Sequence, residues 1–163
     1  MTENAVTDPA DGRNESAAQR LDRNWNDTLQ ELRVTQTGTQ IITGFLLTLA
    51  FQSRFSELDG YQISIYLALV VLAAASTILG LAPVSLHRTL FRKKAKAEMV
   101  ATAHRILIAT LSVLGLVVSG VVLFIFDVVV SFEAGLIAGG VTLAAVVVTW
   151  IVIPRSAGHS RVL

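Results

Sequence analysis

The chain has 163 residues, 53% hydrophobic and 15% charged, with thirteen Lys and Arg against twelve Asp and Glu. A soluble domain carries about 25% charged residues; at a mean hydropathy of +0.62 this sequence is too poor in charge to cover a water-facing surface, so most apolar side chains must meet lipid or one another. The lack of cysteine excludes disulfides, thiolate metal sites and a cysteine nucleophile, and basic residues gathered beside apolar runs give no basis for a nucleic-acid partner.

Residues 1–15 hold hardly any large apolar side chain, cannot offset the entropy of ordering, and are expected to form a disordered tail. They also lack the apolar core of a cleavable signal peptide, so insertion is expected to use the first span. Ser16 and Gln19 fit a capping box that opens a helix. From there Leu21, Trp25, Leu29 and Leu32 recur at helical spacing opposite Asp22, Arg23, Asn26, Asp27 and Gln30. The pattern predicts an amphipathic interfacial helix over 16–33, with Trp25 in the headgroup region. It reads either as a membrane-surface lead-in to the first span or as a switch or docking surface for a partner.

A transmembrane domain over 34–154 follows. Its first span runs from Val34 or Gly38 to Phe51, and Arg54, Glu57, Asp59 and Gly60 mark a short polar turn. The second span, Ile63 to Ala82, is long enough at about 1.5 Å per residue to cross roughly 30 Å of hydrocarbon. Tyr61 and Tyr66 suit the interface at its start, and Pro83 is placed to stop or kink it. The connector from Pro83 to Glu98 holds five of the thirteen Lys and Arg residues: Arg88, Arg92, Lys93, Lys94 and Lys96. Such a cluster belongs on the cytoplasmic side and suits contact with anionic lipid headgroups. The third span, Ile106 to Phe126, ends near Asp127. A short apolar turn leads past Glu133 to the fourth span, Ala134 to Ile153, closed by Pro154 and Arg155. Residues 155–163 form a short cytoplasmic tail. The fold class is therefore all-α: an integral membrane four-helix bundle with an N-terminal amphipathic helix, in the plasma membrane with both termini inside.

No nucleotide-binding glycine loop, dinucleotide pattern or HExxH helix is present. The three histidines, His87, His104 and His159, have no second ligand at helical spacing. No ionisable residue falls near the middle of a span, where ion and proton pathways usually keep one. The candidate site is the polar cluster Thr35, Gln36, Thr39, Gln40 and Thr43, with Gln36, Gln40 and Thr43 sharing one helical face and Thr35 and Thr39 another, expected to face the bundle, water or a helix interface. It reads either as interhelical hydrogen bonding or as a ligand or ion path. Gly135 and Gly139 form a small-xxx-small pattern for helix packing, within the bundle or between copies.

Glu31-Leu32-Arg33-Val34-Thr35-Gln36-Thr37-Gly38, Arg54-Phe55 with Leu58-Asp59, and Ala82-Pro83 with His87-Arg88 and Leu90-Phe91-Arg92 occur together. The combination resembles a family of small four-span actinobacterial membrane proteins of unknown function, whose members are often titled sodium:proton antiporter. The resemblance covers Leu29 to Pro154, implies a bacterial plasma-membrane protein, and supplies no catalytic or binding residue. The reading that emerges is a structural or accessory membrane protein, self-associating or partner-bound, without cofactor or enzymatic activity. Cation or proton transport, antiporter-like, is the alternative.

Overall fold

The computed structural model describes residues 16–90 and 96–159, with side chains for 16, 19–85 and 98–156. The expected N-terminal tail, the apex of the basic connector with Arg92, Lys93 and Lys94, and the last residues of the C-terminal tail lie outside the described residues. So do the side chains of Arg88 and Lys96, whose backbones are helical. The described chain is all-helical: α1 (Ala17–Leu49), a 3-10 turn (Ser53–Glu57), α2 (Gly60–Leu90), α3 (Lys96–Val129), α4 (Phe132–Val147), a π-helical turn (Val148–Val152) and α5 (Ile153–His159).

Local chemistry sets the helix starts. Ser16 and Gln19 form the expected reciprocal cap, with Ser16 N–H donating to Gln19 Oε1 (2.8 Å) and Gln19 N–H to Ser16 Oγ (3.3 Å). Asp59 and Gln62 repeat it ahead of α2: Gln62 N–H donates to Asp59 Oδ1 (2.8 Å) and Asp59 N–H to Gln62 Oε1 (3.3 Å). Gly60, expected to be a turn residue, is accordingly the first residue of α2. Ser131 caps α4 by accepting from Ala134 N–H (3.3 Å), which lets a two-residue turn reverse the chain after α3.

Pro83, expected to stop or kink its helix, does not stop it, and Pro154, expected to close the fourth span, does not end its helix. α2 runs through Pro83, which is buried, and on to Leu90. The missing N–H costs one bond to the Leu79 carbonyl, a loss that packed apolar helices tolerate. Before Pro154 the helix widens by one residue: Ile153 N–H bonds back five positions to the Val148 carbonyl. A π turn is a recognised device for absorbing such a break. The helix then continues to His159, so Pro154 and Arg155 do not close it. The connector also shrinks, because residues 83–90 and 96–98 are helical.

Three helices are long and apolar enough to cross a membrane, spanning Gly60–Ser85, Glu98–Val129 and Phe132–Ser156. α1 differs. Its amphipathic beginning and apolar end form one uninterrupted helix of 33 residues, about 50 Å long at 1.5 Å per residue. Its inward stripe alternates steps of three and four: Trp25, Thr28, Leu32, Thr39 and Leu46 are buried, with Thr35, Ile42 and Leu49 half-buried between them. On α2 the same alternation buries Tyr66, Leu69, Ala73, Ser76, Gly80 and Pro83. A period near 3.5 is the signature of knobs-into-holes packing.

The chain divides into two compact units. The first, Met1–Gly38 with Thr77–Thr110, has a small core of Trp25, Met99 and Ala103, flanked by Leu29 and Val100. Trp25, expected among lipid headgroups, is only 8% exposed. The start of α3 offers it a dry methionine–alanine surface, and burying an indole there removes more apolar area from water than an interface would.

The second unit, Thr39–Ser76 with Leu111–Leu163, is built on Leu46, Tyr66, Leu69, Ala73, Val117 and Phe124. Tyr66, expected at an interface, is 4% exposed. Its hydroxyl donates to the Leu46 carbonyl (2.9 Å), and its ring meets Phe55 edge-on (5.0 Å) and Phe124 (6.1 Å). Burial is possible because the one polar atom finds a partner. Tyr66→Phe keeps the ring and removes this bond between α1 and α2. It is expected to lower stability by about 0.5–1.5 kcal/mol, read as a reduced unfolding midpoint; an unchanged midpoint would show that the bond contributes nothing.

Candidate functional site

The polar cluster of α1 does not act as one surface. Thr39 is buried, Thr35, Gln36 and Thr43 are half-buried, and Gln40 is exposed. The hydroxyls turn back on their own helix: Thr35 Oγ1 donates to the Glu31 carbonyl (2.8 Å), Thr37 to Arg33 (3.0 Å), Thr43 to Thr39 (2.7 Å) and Thr48 to Gly44 (2.6 Å). Such back-bonds let a hydroxyl sit in apolar surroundings without a partner on another helix. Elsewhere Thr110, Ser119 and Thr142 do the same, to Ile106, Gly115 and Ala138. The structure thus brings Thr39 and Thr43 toward the bundle and turns Gln40 away from it.

Ser76 behaves differently. It is 1% exposed and its Oγ has no hydrogen-bond partner, although Ser could in principle bond back to the Leu72 carbonyl. At the end of α3, one carboxyl oxygen of Asp127, Oδ2, is likewise buried without a partner. The sequence places Asp127 at a span end where burial is cheap; the packing of α4 changes that. Gly135 sits so close to α3 that a Cβ there would lie 2.8 Å from the Leu123 carbonyl oxygen and 3.0 Å from both Cβ and N of Asp127. The first turn of α4 therefore lies against the base of the Asp127 side chain.

Gly139 continues this seat. A Cβ on it would approach Leu123 Cβ to 2.7 Å and the Ser119 carbonyl oxygen to 3.2 Å. Further along, Gly115 of α3 faces Val146 and Trp150, its added Cβ falling 2.9 Å from Val146 Cγ1. Glycines on both helices permit close approach of the two backbones. Gly135 and Gly139 are thus occupied by α3 of the same chain.

In the connector between α1 and α2, Arg54 Nε and Glu57 Oε2 lie 3.7 Å apart with both side chains about 70% exposed, an ion pair that contributes little. Among the described residues no group of three or more His, Asp or Glu is gathered as metal ligands would be. His104 is exposed on α3; His87 and His159 have side chains outside the described residues.

Sequence reasoning missed the Asp59–Gln62 cap, the buried Ser76 and the Tyr66–Leu46 bond. The first was legible, since Asp59-x-x-Gln62 repeats the spacing of Ser16-x-x-Gln19. The second was open to the period-3.5 stripe through Tyr66, Leu69, Ala73, Ser76 and Gly80. The third depends on which faces of α1 and α2 meet, which no local pattern states.

No curated protein and no solved structure matches the chain. A family model described only as a family of unknown function matches residues 14–154, reaching further toward the N-terminus than the motifs over 29–154 and taking in the whole of α1. The chain, with three long apolar helices among its described residues and the more polar α1 ahead of them, belongs to the family of unknown function DUF6328.

Proposed function

We propose that this chain is a multi-pass plasma-membrane protein with a structural or accessory role, its helices crossing four times and both termini cytoplasmic. Three helices suited to crossing support the membrane reading. The bond from Tyr66 to Leu46 supports a fourth crossing, because it holds the apolar end of α1 alongside the apolar start of α2. The connector with Arg88, Arg92, Lys93, Lys94 and Lys96 then meets anionic headgroups on the cytoplasmic face, each basic residue contributing about 1 kcal/mol.

The observation that carries the accessory reading is the fate of the Thr35–Thr43 cluster. A cation path needs oxygens that point into a common space and can exchange water for an ion. Here the back-bonds hold the Thr35 and Thr43 hydroxyls against their own helix, and with Thr39 buried and Gln40 exposed the cluster's oxygens do not converge on one space.

Cation or proton transport keeps one observation in its favour, the buried and unpartnered Oδ2 of Asp127. An acidic group inside a membrane segment is a usual mark of a proton or ion path. The two readings separate in liposomes holding the full-length protein, with a pH-sensitive dye reporting proton movement on Na⁺ and K⁺ steps. The accessory reading expects flux no greater than in protein-free liposomes. Flux above that level, lost in Asp127→Asn, would establish transport in its place.

A further inference from the structure

We propose that the outward face of α1 is where a second copy of this chain docks, with Gln40 and Gly44 at the centre of the contact. The proposal rests on the reading that α1 crosses a membrane. Two observations lead to it. First, Gly135 and Gly139, the obvious small-residue pair, already seat α4 on α3 and cannot also receive another chain.

Second, α1 carries another stripe on the side away from its buried one. Gln40, Gly44 and Leu47 are all exposed and follow steps of four and three, the same alternation that packs the inward stripe. Gly44 leaves open space, with nothing within 4 Å of where its Cβ would be. Beside it Ile41 and Phe45 are each more than 60% exposed. Residues 34–53 contain no charged side chain, and Gln40 lies seven positions past Arg33, about 10 Å into that run at 1.5 Å per residue.

At that depth an outward amide faces lipid with two N–H donors and a carbonyl acceptor unsatisfied, which is costly. The neighbouring Thr43 and Thr48 hydroxyls escape this cost by bonding their own helix. What suits Gln40 is a group with both donor and acceptor at the same depth. A second copy supplies one without further requirement. Copies inserted the same way are parallel, so a two-fold axis along the membrane normal brings Gln40 to the partner's Gln40. Each amide N–H then donates to the other's carbonyl. Gly44, one turn on, lets the two backbones close to the distance this pairing needs. Leu47 continues the seam at the same alternating spacing. Lipid offers no donor at this depth, and a foreign helix would have to bring an amide of its own to the same level.

The chain has no cysteine, so single-cysteine variants of the full-length protein test the seam in membranes under mild oxidation. Leu47→Cys is expected to give disulfide-linked dimers at least fivefold more than Val71→Cys on α2 or Ile137→Cys on α4, both exposed. Adding Gln40→Leu or Gly44→Ile to Leu47→Cys is expected to lower the linked fraction at least fivefold. Linkage at Ile137→Cys equal to that at Leu47→Cys, or linkage indifferent to Gln40→Leu, would overturn the proposal. A membrane-impermeant maleimide keeps the underlying reading separate. If it labels Val71→Cys and Ile137→Cys, the chain is not membrane-embedded and that reading fails with the proposal. If both are protected and Leu47→Cys still does not link, only the α1 contact is wrong.

Discussion

Gly139→Ala is expected to destabilise the protein by about 1–3 kcal/mol, while Gly140→Ala leaves stability unchanged or raises it. The two glycines are adjacent on α4, and only their surroundings differ. A methyl group on Gly139 would stand 2.7 Å from Leu123 Cβ, 3.3 Å from Leu123 Cα and 3.2 Å from the Ser119 carbonyl oxygen. None of these is the free end of a flexible side chain, so α4 must lift from α3 and lose dispersion contacts along its length. A methyl group on Gly140 meets nothing within 4 Å, and alanine exceeds glycine in helix propensity by about 1 kcal/mol. The measurement is the unfolding midpoint of each variant in one detergent. Opposite responses confirm that α4 is held through one face; equal responses would mean that Gly139 is not seated on α3.

Trp25→Ala is expected to cost about 3–5 kcal/mol of local stability at the start of α1. Trp25 packs with Met99 and Ala103, supported by Leu29 and Val100, and no other large buried side chain belongs to that cluster. The loss should be confined to this unit. Amide exchange over residues 19–33 and 98–107 is expected to accelerate roughly a hundred- to a few-thousandfold, since each 1.4 kcal/mol is a factor of ten, while the amides around Leu46, Tyr66 and Phe124 keep their protection. A tryptophan held by headgroups instead would give exchange that depends on lipid and leaves residues 98–107 unchanged.

The contrast between these two sites shows what a sequence pattern can carry. Helix existence was legible from composition and period, because apolar runs of this length have no other way to satisfy their backbone in lipid. Helix ends were less so. Ser16 announced its cap through Gln19, yet Pro83 and Pro154 misled, because a proline's local penalty is only one term against the packing of a long helix. Gly135 and Gly139 were recognisable as a packing pair, but not which surface they pack on, and Gly140 beside them looked no different.

The candidate cluster makes the same point at the level of function. Gln36, Gln40 and Thr43 read as one polar face and Thr35 and Thr39 as another, because residues three or four apart on a helix are neighbours; the spacing does not say which face is buried. Side chains one residue apart on a helix point about 100° apart, so Thr39 enters the buried stripe and Gln40 leaves it. Likewise Asp127 sits at a helix end in the sequence, and becomes partly enclosed only because Ser131 turns the chain back and brings Gly135 against it.

What the sequence by itself determined is the class of the protein: all-helical, rich in long apolar runs, with five of its thirteen basic residues gathered in the connector from Pro83 to Glu98. These follow from composition and spacing, which act through solvent and the local backbone and need no knowledge of neighbours. What only the tertiary structure decided is the facing of each helix: Trp25 and Tyr66 inward, Gln40 outward, and the α4 glycines against α3. Facing depends on contacts between residues far apart in the chain, such as Tyr66 with Leu46 or Gly139 with Leu123, and those energies are set only when the helices meet.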